Sequence, residues 1–442
     1  MKTKPAQRIN IITLGCAKNL VDSEELLTQL RANHLDATHE AEGPAPIVVI
    51  NTCGFIETAR QESINTILEY AEAKRSGWVD KIFVTGCLSH RYKDDLSREI
   101  PEVDGWFGTG ELSRLLNEIG TDYKRELIGE RLLTTPGHYA YLKISEGCNR
   151  TCSFCAIPLM RGRHVSKPLE QVVQEAKNLV NSGVKEILLI AQELTYYGLD
   201  LYRERRLPAL LTELEQIDGL EWIRLHYAYP SKFPLELLSV MKQSRKICRY
   251  LDLPLQHISD SMLLKMKRGI TKSETLDLIH TIRDIVPDIA LRTTLMVGFP
   301  GETEADFDEL REFVQQVRFD RLGVFTYSHE EGTAAFHFKD NVLPIVKKRR
   351  AAQLMALQEE IAFDLNQRKV GSILKVLFDR VEGDFLVGRT EFDSPEIDNE
   401  VLVNATGCFI RPGDFAQVKI THAEAFDLYA EPVDNFPKAP FL

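Results

Sequence analysis

Cys148, Cys152 and Cys155 stand in a C-x3-C-x2-C run directly behind the apolar stretch Tyr141-Leu142-Lys143-Ile144. Thiolates hold iron–sulfur clusters, and a four-iron cluster takes four ligands. Three cysteines in one loop therefore leave one iron free to bind something else. Phe154 falls just before the last thiol, where an apolar ring shields the loop. The competing chemistry is a structural zinc site closed by His164, because zinc accepts three cysteines and a histidine. Zinc sites usually pair two close-spaced ligand couples, and this loop does not, so the spacing favours the cluster.

Three further cysteines repeat a second pattern. Gly15-Cys16, Cys53-Gly54 and Gly86-Cys87 each follow at once on an apolar strand-like run, at residues 9–14, 47–50 and 82–84. Parallel α/β sheets bind ligands beyond the carboxyl ends of their strands, and flanking glycines permit tight turns there. Three thiols on one edge of one sheet predict a second metal centre, again with an open iron. The alternatives are core cysteines, since free Cys is often buried, or a thiol nucleophile, for which no partner histidine is evident. Cys248 and Cys408 stand alone and read as packing residues.

The elements that must carry these thiols follow from the hydrophobic periodicity. Over residues 1–135 the apolar runs alternate with helical patterns at 23–30 and 62–70, which predicts a parallel α/β sheet. Residues 136–370 continue the alternation, with strands expected at 141–144, 186–190, 222–227, 250–253, 290–297 and 321–327. Helical patterns at 169–181, 209–216, 234–243, 259–266, 273–285 and 304–317 accompany them. Six β/α units predict a partial (β/α)6 TIM-like barrel with room to admit a bulky substrate from the side. Catalytic groups of such barrels lie at the carboxyl ends of the strands, and Cys148 follows the first. Residues 371–442 change character. Short runs at 373–378, 385–389, 400–403, 415–420 and 428–431, separated by Gly, Asp and Pro, predict a small β-barrel of OB type. The expected fold class is multidomain α/β, with a parallel-sheet domain, a partial barrel and a C-terminal β-barrel.

The 442 residues suffice for roughly three domains. A hydrophobic share of 44% and a charged share of 27% are those of an ordinary globular protein. Met1-Lys2-Thr3-Lys4-Pro5 has no apolar region behind it, so no signal peptide is expected. No run approaches the roughly 18 apolar residues of a membrane span. Eight cysteines without an export signal argue against a disulfide framework, and a reducing cytoplasm suits the thiols. The net charge of −11 disfavours broad binding to nucleic acid, which rests on Lys and Arg neutralising phosphates; no direct DNA binding is expected. The C-terminal segment carries thirteen acids, Asp434 among them, against six bases including Lys438. It should repel a phosphate backbone and attract a basic protein, unless its acids serve solubility alone. The block Lys347-Lys348-Arg349-Arg350 reads as a solvated helix face. His329-Glu330 is no zinc-protease motif, because Thr333 takes the place of the second histidine.

Together these stretches resemble the methylthiotransferase family of radical S-adenosylmethionine enzymes. The resemblance runs along the whole chain. It is carried by Thr13-Leu14-Gly15-Cys16-Ala17-Lys18-Asn19, Asn51-Thr52-Cys53-Gly54-Phe55, Thr85-Gly86-Cys87-Leu88, Ser145-Glu146-Gly147-Cys148-Asn149 through Cys155, and Val297-Gly298-Phe299-Pro300-Gly301-Glu302-Thr303. It implies two 4Fe-4S clusters, one on Cys148, Cys152 and Cys155 and one on Cys16, Cys53 and Cys87, with S-adenosylmethionine on the open iron of the former. It also implies a TRAM domain at the C-terminus. Residues 15–24 and 156–162 look like the branch that modifies the small-subunit ribosomal protein S-twelve; the tRNA-modifying branch tends to show Gln-Met-Asn after the first cysteine. The acidic barrel points the same way. The alternatives are a tRNA methylthiotransferase and a non-catalytic iron–sulfur or zinc protein.

The chemistry so implied is methylthiolation of an aspartate β-carbon. That C–H bond gives a base no handle, so a 5′-deoxyadenosyl radical takes the hydrogen, the second cluster supplies sulfur and a second S-adenosylmethionine supplies the methyl group. An electron donor such as a flavodoxin and a sulfur donor are implied partners, and the target is S-twelve, free or within the small subunit. Gly298, Pro300 and Gly301 look like the family's adenine-side loop, although a plain turn is an open alternative. Gln192 and Glu193, at the end of the second barrel strand, are candidates for the cofactor's amino group. Arg161 and Arg163 either pair with a carboxylate or are exposed charge.

Overall fold

A computed structural model describes residues 8–433 except residue 407. Residues Met1 to Pro5 and the charges Asp434 and Lys438 lie outside the described residues. The first sheet contains β1 (Arg8–Thr13), β2 (Asp36–His39), β3 (Ile47–Thr52), β4 (Lys81–Gly86) and β5 (Gly105–Trp106), in the order β2-β1-β3-β4-β5. All four pairings are parallel. Every residue of β3 is buried, as the centre of a sheet covered on both faces requires. The order reverses between β1 and β3, and such switch points open a crevice for ligands. Helices α1 (Ala17–Ala32), α2 (Glu57–Arg75) and α3 (Cys87–Glu99) follow β1, β3 and β4, so each expected strand–thiol unit is present. The short strands β2 and β5 lacked an apolar run to betray them.

A second sheet begins with β6 (Tyr139–Lys143). A two-residue hairpin, β7 (Ser145–Glu146) and β8 (Val165–Ser166), brackets the C-x3-C-x2-C loop and the short helix α4 (Ile157–Arg161) inside it. Then follow β9 (Glu186–Ile190), β10 (Trp222–Leu225), β11 (Ile247–Asp252), β12 (Ala290–Val297) and β13 (Arg321–Thr326). The six long strands lie in the order β13-β12-β11-β10-β9-β6, every pairing parallel, which is the expected open six-stranded barrel. Its strands alternate between the outer helices, where Leu142, Ile187 and Leu189 pack, and the interior, where Tyr139, Tyr141, Leu188 and Ile190 lie. The first helix of the chain covers this interior, with Ala17, Leu20 and Val21 against the two tyrosines.

The third unit is a closed five-stranded barrel of β14 (Ile373–Glu382), β15 (Phe385–Thr390), β16 (Glu400–Asn404), β17 (Phe415–Ala423) and β18 (Asp427–Pro432). Its acids are not all on the surface. Asp379, Asp393 and Asp398 turn towards the six-stranded barrel and meet His138, Arg321 and Arg292, and Arg224 donates to the Glu391 carbonyl. Part of the acidity assigned to a partner or to solubility is thus consumed at this seam. The basic block is likewise divided. On the 24-residue helix Pro344–Gln367, Lys347 and Arg350, three apart, share a buried face and bind Asp340 and Glu302, while Lys348 and Arg349 stay exposed.

Candidate active site at two thiol trios

Cys16 caps α1, Cys53 follows β3 and Cys87 opens α3, so the three thiols meet at the carboxyl edge beside the switch point. Gly15 is held at φ +95°, and a Cβ there would lie 2.5 Å from the Cys53 Cβ, so only glycine lets Cys16 and Cys53 approach. Asn19 ties the loops together, donating to the Leu14 and Thr52 carbonyls at 2.7 and 3.1 Å. Burial pushes the Cys53 thiol up and the Cys87 thiol up to about 12, and the charge of Cys16 adds to both. Burial thus disfavours Cys53 and Cys87 as bare thiolates here.

The other trio sits beyond β6. Gly147, at φ +72°, carries no Cβ because one would lie 2.1 Å from the Arg163 carbonyl oxygen across the loop neck. Burial raises Cys148 to about 11 and Cys155 to about 12, with the neighbouring Cys152 charge adding to each. Two donors already face these sulfurs: the Arg150 N–H reaches Cys148 Sγ at 3.4 Å, and Arg268 Nη1 reaches Cys152 Sγ at 3.2 Å. Hydrogen bonds of this kind set the potential of a bound cluster. Ser153 pins the loop, donating to the Lys265 and Met266 carbonyls. Phe154 packs with Met262, Met266, Phe299 and Tyr327.

His164 directs Nε2 at Ser166 Oγ, 3.1 Å away, with Asp200 behind it, so the residue that would close a zinc site is engaged elsewhere. Among the described residues no three His, Cys, Asp or Glu side chains converge on a single-ion position. One zinc at about 2.3 Å would draw its sulfurs to within about 4 Å of one another, whereas cluster thiolates bind separate irons.

The two trios adjoin. Cys87 packs against Ala156, the residue after Cys155. Arg161 is buried rather than exposed, and its Nε donates to Cys87 Sγ at 3.2 Å. Its Nη1 holds Asp22 at 2.8 Å and Glu146 at 3.1 Å, and Nη2 reaches Asn19. Lys143 binds the same two carboxylates. Arg163 is exposed. A cavity of about 180 Å³ opens here, lined among others by Asp22, Asn51, Gly86, Lys143, Glu146 and Arg161. A second cleft, of about 350 Å³, lies at Lys185, Asp414 and Phe415, with no candidate thiol in its lining.

Gln192 donates to Glu146 Oε1 at 2.6 Å, while its own Oε1 is buried with no partner. An orphaned acceptor at a strand end suits the amino group of S-adenosylmethionine. Glu193 is already committed, accepting from the Thr195 N–H at 2.7 Å and from Arg150 at 3.1 Å. In the loop after β12, Lys347 covers Gly298, Lys265 Nζ lies over Gly301, Pro300 is buried and Glu302 braces the turn. Cys248 packs with Trp222 and Tyr250, and Cys408 against the small barrel, as expected. Arg268 and Tyr229, which meet Cys152, escaped the sequence reading, because no local motif marks residues brought in from a distant loop.

The open parallel barrel with a thiol-bearing loop after its first strand defines a radical S-adenosylmethionine protein. The Radical SAM superfamily model matches residues 142–314, the uncharacterized protein family UPF0004 matches 8–108 and the TRAM domain matches 370–433. Among solved structures, TsrM from Kitasatospora setae, a radical S-adenosylmethionine methyltransferase with cobalamin and a [4Fe-4S] cluster bound, aligns at a TM-score of 0.54 and 16% identity, covering 73% of this chain and 75% of that one. That likeness shows the fold. Ribosomal protein uS12 methylthiotransferases RimO from Flavobacterium johnsoniae and Cytophaga hutchinsonii are each 58% identical over 98% of this chain, covering 100% and 99% of their own lengths. The Bacteroides thetaiotaomicron protein of the same description is 54% identical over 97% of this chain and 99% of its own. The chain belongs to the family of ribosomal protein uS12 methylthiotransferases. Membership of the radical superfamily implies one 4Fe-4S cluster and S-adenosylmethionine. No described helix is long and apolar enough to cross a membrane.

Proposed function

We propose that this enzyme methylthiolates the β-carbon of an aspartate in ribosomal protein S-twelve, using one S-adenosylmethionine as radical source and a second as methyl donor. The reading rests on the family and on one observation above all: two thiol trios adjoin, with Arg161 bonded to Cys87 and reaching Glu146 at the cofactor strand. Cys148, Cys152 and Cys155 hold one 4Fe-4S cluster, and Cys16, Cys53 and Cys87 hold a second. When bound, these groups supply one-electron cleavage of the cofactor, hydrogen-atom removal and the sulfur.

The chain's own residues do the positioning. Gln192 offers its free Oε1 to the cofactor's amino group, Glu193 fixes Arg150 behind Cys148, and Phe154 roofs the loop. Gly298, Pro300 and Gly301 form the adenine-side turn. Arg268 and Arg150 donate towards the first cluster's sulfurs and Arg161 towards the second's. The work is divided among three domains at 1–135, 136–370 and 371–442. A cytoplasmic setting, a flavodoxin-like electron donor and a separate sulfur donor complete the scheme. Mass spectrometry of S-twelve and of bulk tRNA from a deletion strain tests it. S-twelve should lose the methylthio increment; an unchanged S-twelve beside tRNA that has lost such an increment would overturn the assignment.

A further inference from the structure

Lys18 lies two residues beyond Cys16, in the first turn of α1, and only 8% of it is exposed. Its Nζ sits over the Tyr227 ring, 3.3 Å from the centroid. Tyr227 follows β10 at the carboxyl end of the barrel, and its carbonyl accepts from the Leu194 N–H, two residues past Gln192. The ammonium is therefore held at the barrel mouth, between the first-sheet thiols and the strand end that carries the cofactor candidates. Tyr227 itself adopts φ +63°, a left-handed conformation that residues with side chains rarely take and that recurs at functional sites.

Other buried cations of the barrel and its thiol sites are paired. Lys143 and Arg161 bind Asp22 and Glu146, Arg150 binds Glu193, and Arg292 binds Asp252. Among the described residues, Lys18 has neither a carboxylate partner nor a hydrogen-bond acceptor. It stands in the first turn of the helix that Cys16 caps. A desolvated cation is costly until an anion meets it, and the π face of Tyr227 answers only part of that cost.

We propose that Lys18, resting on Tyr227, is the specificity-determining residue that receives the side-chain carboxylate of the substrate aspartate. The inference rests on the function proposed above. The reacting β-carbon is bonded directly to the carboxylate carbon, so one charge-assisted contact confines the C–H to be broken to within a bond of its anchor. Asparagine has the same shape without the charge, and glutamate would move the carbon bearing its carboxylate one methylene away. Lys18 thus selects aspartate and aims it.

Equilibrium binding by iron-reconstituted protein decides the matter. The probes are purified S-twelve and its variant with the target aspartate changed to asparagine. Wild type should prefer the aspartate form by about tenfold or more. Lys18→Met should bind both forms alike, and Lys18→Arg should retain most of the preference. Iron per chain and thermal unfolding, measured on each variant, separate a lost contact from a lost fold. Equal binding of both forms by wild type, or an undiminished preference in folded Lys18→Met, overturns the proposal. If Lys18→Met fails to fold, the wild-type comparison and Tyr227→Leu, expected to lower the preference, decide instead. Failure of the function itself shows separately, as an unaltered S-twelve mass in the deletion strain.

Discussion

Two kinds of side chain set the electrostatics where the trios adjoin. Burial alone would push Glu146 up, but the charges of Lys143 and Arg161, with hydrogen bonds from Lys143 and Gln192, outweigh it and hold the carboxyl well below its ordinary range. A depressed folded value means that the unfolded chain takes up the proton first. The contribution to stability is therefore complete above pH 4.5, the ordinary value, and is lost as the pH falls towards the depressed one. Unfolding in urea as a function of pH should show this acid slope in wild type and a shallower one in Glu146→Gln. The thiols divide by trio. Cys53→Ala should halve the iron per chain and abolish sulfur insertion, while S-adenosylmethionine cleavage persists on Cys148, Cys152 and Cys155. Loss of both activities in a folded protein would count against two separate centres.

At the scale of elements, each trio depends on a turn that only glycine can make. Gly15 brings the end of β1 against Cys53, and a methyl group there would collide with the Cys53 Cβ and Sγ at 2.5 and 2.8 Å. Gly15→Ala should therefore lower the iron content to nearly that of Cys53→Ala, with the core helices intact by circular dichroism. Strands β1, β3 and β4 were visible in the sequence because buried parallel strands read as unbroken apolar runs. Strands β9 and β12 fall at the expected bounds, 186–190 and 290–297. The hairpin β7–β8 was not visible: two-residue strands carry no periodicity, and their pairing depends on a contact across the whole cysteine loop.

For the molecule as a whole, the first unit covers the carboxyl end of the radical barrel and the third closes against its opposite end. Arg321 and Asp393, both buried, join the barrel to the C-terminal unit. Beside them Glu186 takes Arg224 and Arg389, and Asp379 takes Arg389 and His138. Removing one member of such a buried pair strands the other charge. Asp393→Ala should cost about 3–5 kcal/mol, read by urea unfolding, with the C-terminal unit melting separately from the barrel. On the first unit's side, buried Glu330 accepts from Arg60 and Arg91 at 3.1 and 2.9 Å and ties α2 and α3 to the loop after β13. Neither clasp was legible beforehand, because charges paired across units look like solvated charges in sequence.

The sequence by itself determined the six thiols, their division into two trios, the open barrel and the small β-barrel. All of these are written in local spacing and hydrophobic periodicity, which neighbouring residues along the chain enforce. Only the tertiary structure decided that the trios adjoin, that Arg161 is buried between them, that half the basic block is internal and that Lys18 has no carboxylate partner among the described residues. Those facts depend on which distant side chains meet and on how much water they exclude, and no spacing along the chain encodes either.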